Sequence, residues 1–237
     1  MRRNATLVLL PGLDGTEIFF GPLIAALPES VKPLVVTYAT SGANNYSSLL
    51  PVVRAAVEGS EEFYVLGWSF SGPLALMLAA KEPNRIRGVI LCASFVRSPL
   101  PLLPSLRFAV VPPVMHLARL AHRFHLLSTT SFSSTLRYDK AKTLARVPSH
   151  VVAARARAVL ALDAREYLRT CSRPVLYVAG SRDWVVPRRN AEEVARELPS
   201  TKVVTIEGPH LALYTNPGAA AQVIVGFMQE SSNRKLT

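Results

Sequence analysis

The sequence predicts an α/β protein: a compact, mostly parallel six-stranded sheet with helices on both faces and a helical insertion. Three observations predict it. Short apolar runs of strand length alternate with stretches at helical spacing along most of the 237 residues. Most of those runs are apolar throughout, the pattern of strands covered on both faces in a parallel sheet. Residues 63–80, finally, read as strand, abrupt turn and helix, with Ser69 at the corner.

Taken in order, residues 5–10 form the first strand and end in the loop Pro11-Gly12-Leu13-Asp14-Gly15-Thr16. Arg2-Arg3 ahead of it resembles the start of a secretory leader. The apolar run is too short for one and meets Pro-Gly without a small-residue cleavage site, so a strand is expected. A short amphipathic helix spans 18–27 and closes at Pro28, and 33–38 is the second strand. Turn chemistry at 41–45 precedes a helix over 46–58, in which Leu49, Leu50, Val53 and Val57 share a face and Gly59 is the stop. The strand 63–67 leads into the Ser69 corner, and strands follow at 87–93, 174–180 and 202–206, with helices at 188–198 and 219–230.

One stretch breaks the alternation. Between Phe95 and Pro148 no strand pattern occurs, and Pro99, Pro101, Pro104, Pro112 and Pro113 punctuate the apolar runs. A structureless loop of that length is improbable inside one domain, so a helical insertion is expected. It carries Arg97, Arg107, Arg119, Arg123, Arg137, Lys140, Lys142 and Arg146 against the single acid Asp139, and 114–127 reads as a basic amphipathic helix. The expected organisation is a core of 1–94 and 149–237 with a lid of 95–148 inserted in it.

Composition bounds the function. A hydrophobic content of 49% supports one sizeable core, and no apolar run reaches the length of a membrane span. Cys92 and Cys171 lie far apart without metal-ligand spacing, which favours buried reduced thiols and a cytoplasmic setting. The net charge of +11 suits either a soluble arginine-rich protein or acidic partners. Nucleic acid is not expected among them, because no zinc, helix-turn-helix or aromatic RNA-binding signature accompanies the charge.

The string Gly67-Trp68-Ser69-Phe70-Ser71-Gly72 resembles the nucleophile elbow of the α/β-hydrolase family, with Ser71 where a second glycine is usual. Small residues flank Ser69 at both i−2 and i+2, whereas Ser71 has Pro73 at i+2, so Ser69 is the expected nucleophile. A serine hydroxyl needs a base. Of the five histidines, His116, His122, His125 and His150 fall in or just after the insertion, while His210 follows the last strand, where a parallel sheet delivers a residue to its carboxyl edge. Asp183, after the strand ending at Gly180, is expected to orient the imidazole and gives the family order serine, aspartate, histidine. Asp163 and Glu166 compete for that role but are expected inside a helical run before the strand. The oxyanion donors are expected to be the backbone N–H groups of Phe70 and Leu13, the latter in a loop where Pro11 stands at the family's usual histidine. Trp68, Phe95, Phe124 and Phe132 are candidate walls of the substrate pocket. No cofactor is expected, and the spacing of His122 and His125 suggests no further ligand for a metal.

The resemblance covers nearly the whole chain, and the family's usual first two antiparallel strands are not expected here, since the sequence opens on the strand before the Pro11-Gly12 loop. Leu66-Gly67-Trp68-Ser69 and Glu82-Pro83-Asn84-Arg85-Ile86-Arg87-Gly88 resemble in particular the pimeloyl-acyl-carrier-protein methyl ester esterases, although Phe70-Ser71 replaces their Leu-Gly. The resemblance implies hydrolysis of carboxylic esters through an acyl-enzyme. Alternatives with the same residues are a thioesterase for acyl carrier protein or coenzyme A, a pimeloyl-carrier methyl ester esterase and a lysophospholipase. A binding member of the fold without catalysis is the alternative from another class. A dehalogenase is disfavoured by serine at the nucleophile position, and a proline-type aminopeptidase by the lack of lid acids. The basic insertion suits an acidic acyl carrier protein or an anionic membrane surface.

Overall fold

The computed structural model describes residues 5–99, 110–114, 116–117 and 133–233. Its six strands are β1 (Ala5–Leu10), β2 (Val31–Val35), β3 (Phe63–Trp68), β4 (Ile86–Cys92), β5 (Val175–Gly180) and β6 (Lys202–Ile206). They form one sheet in the order β2-β1-β3-β4-β5-β6, and every pair is parallel. The order reverses between β1 and β3, so the loops after these two strands open onto one crevice at the carboxyl edge.

All six expected strands are present, and β2 begins and ends earlier than its sequence suggests. Its span is 31–35 rather than 33–38. At the sheet edge Pro33, opposite Leu7, costs no ladder bond on the open side. Beyond Val35 the chain turns away: the Val36 amide still reaches the Leu9 carbonyl, but the Tyr38 amide binds the Gly15 carbonyl at 2.9 Å, drawn onto the loop after β1.

The four inner strands β1, β3, β4 and β5 bury both faces. Val8, Leu10, Val65, Val89, Leu91 and Tyr177 point into one apolar core, and Leu7, Leu9, Tyr64, Leu66, Ile90 and Val178 into the other, the period-two alternation of a pleated strand. Helices α2 (Tyr46–Ala56), α3 (Gly72–Lys81), α6 (Arg165–Arg169) and α7 (Arg189–Glu197) supply buried residues to the first core. Helices α1 (Gly21–Ala26), α8 (Ala212–Thr215) and α9 (Pro217–Asn233) supply the second. Helix α2 starts where Asn45 caps it: the Asn45 side chain accepts from the Ser48 amide, and the Ser48 hydroxyl accepts from the Asn45 amide.

Directly before α6 come α4 (Ser134–Arg146), inside the expected insertion, and α5 (Ser149–Leu160), just after it. Most of the basic helix expected over 114–127 lies outside the described residues. The expected helical run around Asp163 is interrupted. Asp163 lies between α5 and α6 in an isolated bridge to Arg97, with its carboxylate held by Arg165, and only Glu166 is helical. Asp163 is thus paired with Arg165, whereas the carboxylate bonded to His210 is that of Asp183.

Candidate active site

The loops after β1, β3, β5 and β6 meet at the carboxyl edge of the sheet. Ser69 directly follows β3 and turns the chain through the left-handed region, φ 51°, a strained conformation for a residue with a side chain. Its neighbours hold it there. The Ser69 carbonyl accepts from the Ser94 hydroxyl at 2.6 Å, and the Tyr46 hydroxyl donates to the Phe70 carbonyl at 3.0 Å. The Tyr46 ring also stacks on Phe70, with centroids 4.8 Å apart. A Cβ at position 67 would lie 2.3 Å from the Ser71 carbonyl oxygen, so the corner closes only over glycine.

Asp183 and His210 arrive from the neighbouring strand ends. One Asp183 oxygen, Oδ1, accepts from the amides of Val185 at 2.9 Å and Val186 at 2.8 Å. This orientation leaves Oδ2 to the His210 Nδ1, 2.8 Å away. A carboxylate can only accept, so Nδ1 carries the ring proton and the opposite nitrogen is free to accept. That nitrogen, Nε2, lies 3.0 Å from the Ser69 Oγ. The Asp183 side chain is 3% exposed and that of His210 19%, so the carboxylate is shut off from water while the imidazole reaches the crevice. The structure thus brings together the three residues the sequence singled out, in one hydrogen-bonded line.

Leu13 and Phe70 border the same cavity as Ser69 and His210. The loop bearing Leu13 is tied to the elbow by a residue whose polar role the sequence did not reveal. The Ser71 hydroxyl donates to the Pro11 carbonyl and in turn receives the Tyr38 hydroxyl at 2.6 Å. Asp14 turns its carboxylate onto Thr16, accepting from both its amide and its hydroxyl, and burial pushes its carboxyl above the usual range.

The cavity, about 450 Å³, is almost wholly apolar, within the size range of small-molecule sites. Trp68 and Phe95 both line it, together with Phe19, Val186 and Leu211 from the core and Ala156, Val159 and Leu160 from α5. The other two candidate walls, Phe124 and Phe132, lie outside the described residues, as do His122 and His125. His150 is exposed on α5. Among the described residues no group of His, Cys, Asp and Glu side chains is arranged to hold a metal ion. Cys92 is buried at the end of β4, where burial, reinforced by the Asp183 charge, pushes its thiol up and keeps it protonated.

The sequence also missed Arg155, Tyr38 and Asn44. Arg155 reads as one of several arginines on a basic helix, yet its side chain is fully buried behind the loop after β1. Its one sequence signal is placement: Val151 and Val159 stand one turn on either side of it.

A family model described as alpha/beta hydrolase fold matches residues 58–217. A pimeloyl-[acyl-carrier protein] methyl ester esterase of Yersinia enterocolitica is 30% identical over 206 residues, 81% of this chain and 78% of that protein. An enzyme of the same name from Neisseria meningitidis serogroup C is 27% identical over 93% of this chain and 92% of its own. A solved structure from the thaumarchaeon Nitrososphaera gargenis, described with that organism's carboxylesterases, has a TM-score of 0.80 at 18% identity, covering 99% of this chain and 93% of that one.

Proposed function

Because this chain belongs to the alpha/beta hydrolase fold family, we propose that it is a serine hydrolase that cleaves carboxylic esters through an acyl-enzyme. One observation carries the reading: the line from Ser69 Oγ through His210 to Asp183 stands at the mouth of an apolar cavity. His210 Nε2 removes the serine proton as Oγ attacks the ester carbonyl. Asp183 keeps the imidazole in the tautomer that can accept it and stabilises the resulting cation. The Phe70 and Leu13 amides hold the oxyanion, His210 then protonates the leaving alcohol, and water releases the acid by the same steps in reverse.

The apolar lining favours a hydrocarbon acyl chain over a charged one. Segment 95–148 serves as the lid; Pro99 and Val110 from it border the cavity. A second reading, an ester or thioester presented on an acidic acyl carrier protein, is favoured by the curated relatives' name and by the basic residues of that segment. A cytoplasmic setting is part of the proposal and rests on two free cysteines; among the described residues no helix is long and apolar enough to cross a membrane.

The test is hydrolysis of an ester series graded by acyl length, including carrier- and coenzyme A-linked acyl groups, alongside fluorophosphonate labelling. Wild type should hydrolyse at least one ester class and label at Ser69, and Ser69→Ala should do neither. If Ser69→Ala hydrolysed esters as fast as wild type, the mechanism would be wrong; an unlabelled, inactive wild type would favour a binding protein.

A further inference from the structure

Arg155 stands out because its side chain has no accessible surface and, among the described residues, no carboxylate at ion-pair distance, although it feels the charge of Asp14. Its partners are oxygens of three loops. Nη1 donates to the carbonyls of Leu13 at 3.0 Å and Asp14 at 2.7 Å. Nη2 donates to the Ala39 carbonyl at 3.1 Å and to the Asn44 side-chain oxygen at 2.7 Å, which Nε also reaches at 3.1 Å. These bonds use all five N–H donors that a guanidinium carries. The cation also lies over the Tyr38 ring, 5.4 Å from its centroid, and Tyr38 in turn holds Ser71.

Burying a charge without an ion pair is costly, and a leucine or methionine at a purely structural position would avoid that cost. What the arginine supplies that an apolar side chain cannot is orientation of peptide groups. With the Leu13 and Asp14 carbonyls both turned to Nη1, the peptide planes on either side of Asp14 are fixed. The Leu13 N–H is separated from the first of those planes only by the torsions of Leu13 itself. Gly15 belongs to the same arrangement: its φ is +71°, and a Cβ there would lie 2.4 Å from Nη1. Asn44, the side chain that anchors the guanidinium, is itself held at φ 52° by bonds from its amide nitrogen to Ser41 and Gly42.

We propose that Arg155 is a positioning residue for ester hydrolysis: anchored on Asn44, it sets the loop after β1 so that the Leu13 N–H is aimed at the oxyanion. The inference rests on the serine-hydrolase reading above. It also gives the helix that follows the insertion a direct hold on the catalytic loop, since Arg155 is carried by α5.

The test uses Arg155→Lys, whose single ammonium has too few donors for this set of oxygens, and Asn44→Ala, which keeps the arginine but removes its anchor. A misaimed donor weakens binding of the oxyanion and leaves the ground state alone. For Arg155→Lys, kcat on a simple ester should fall by about 100-fold, the cost of a misplacement on the order of 1 Å, with KM nearly unchanged. Affinity for a trifluoromethyl ketone, which forms an oxyanion on Ser69, should fall in step with kcat, while affinity for the product acid stays constant. Asn44→Ala should move the same quantities less, and it decides alone if Arg155→Lys does not fold. Wild-type kcat in a folded variant would overturn the inference. So would a loss spread equally over KM, product affinity and ketone affinity, the signature of a merely loosened pocket. If wild type labels with fluorophosphonate and the variants label at the same rate, only this inference fails; if wild type neither labels nor hydrolyses, both readings fall.

Discussion

At the residue scale two serines stand two positions apart at the same corner, and their surroundings give them different work. Ser69 Oγ faces a ring nitrogen, a group able to take its proton. Ser71 Oγ is fully buried and spends its proton on the Pro11 carbonyl. The Ser71 hydroxyl thereby bridges the elbow and the loop after β1. Ser71→Ala should therefore remain labelled by fluorophosphonate at Ser69. It should nonetheless lose about 1–2 kcal/mol of stability in urea melts, because the Pro11 carbonyl and the Tyr38 hydroxyl are left unpaired, and its kcat should fall. Labelling lost in Ser71→Ala but kept in Ser69→Ala would reverse the assignment.

Asp183 supports a second expectation at this scale. The amides of Val185 and Val186 donate to Oδ1, so Asp183→Asn can keep its carbonyl oxygen there only by turning its NH₂ toward His210. An NH₂ donor at that point requires Nδ1 to accept, which moves the ring proton to Nε2 and blocks the base. The expected result is a kcat lower by roughly 10³- to 10⁴-fold with KM unchanged and the fold intact. An active Asp183→Asn would leave the carboxylate without a role. Ser69, Asp183 and His210 were singled out from sequence because each follows within four residues of the end of a strand, β3, β5 and β6, on the carboxyl edge. Arg155 and Asn44 were not, because their meaning lies in contacts between segments remote in the chain; the Nη2 bond to Asn44 alone spans 111 positions.

At the scale of elements, the inner strands were legible because burial on two faces leaves them largely apolar over a strand's length; helix α3 is as apolar and was told apart by its longer run of alanine and leucine after the Ser69 corner. Helix α5 was the harder case. Its alternating alanines and arginines give no strong apolar stripe in the sequence, although Val151 and Ala153 are buried and Val159 packs against the core beside the buried Arg155. Helix α3 shows a simpler attachment. Glu82, which caps its C-terminus, receives Arg54 from α2 at 2.9 Å and Arg85 at 3.1 Å, and these two guanidinium groups, Arg54 foremost, hold its carboxyl below the usual range. A lowered folded-state value means the contribution exists above the ordinary carboxylate range and disappears as pH falls through the folded value. Solvent screens the pair, so Glu82→Gln should cost only about 0.5 kcal/mol at pH 7. In acid, below the carboxylate range, the two proteins should melt together. Thermal melts at both pH values check the sign; a difference that persists in acid would mean the glutamate acts through packing rather than charge.

At the scale of the whole molecule, the sheet itself is the unit that must open before the site can be lost. Cys92 reports on it. The residue ends β4, paired with Trp68 on β3 and Val178 on β5, so it lies between strands on both sides with 1% of its surface exposed. Burial and the Asp183 carboxylate both push its thiol up, away from the reactive thiolate. Cys171 lies before β5 and is only partly buried, with its thiol raised by burial but the Arg173 backbone and charge drawing it back down. An alkylating reagent at pH 8 should therefore modify Cys171 first. It should reach Cys92 only through global opening, with a rate whose urea dependence matches the equilibrium m-value. Matching slopes would mean that β3, β4 and β5, which carry Ser69 and Asp183 at their ends, separate only when the whole domain unfolds. A shallower slope, or modification of Cys92 as fast as that of Cys171, would mean that the carboxyl edge opens locally around the site.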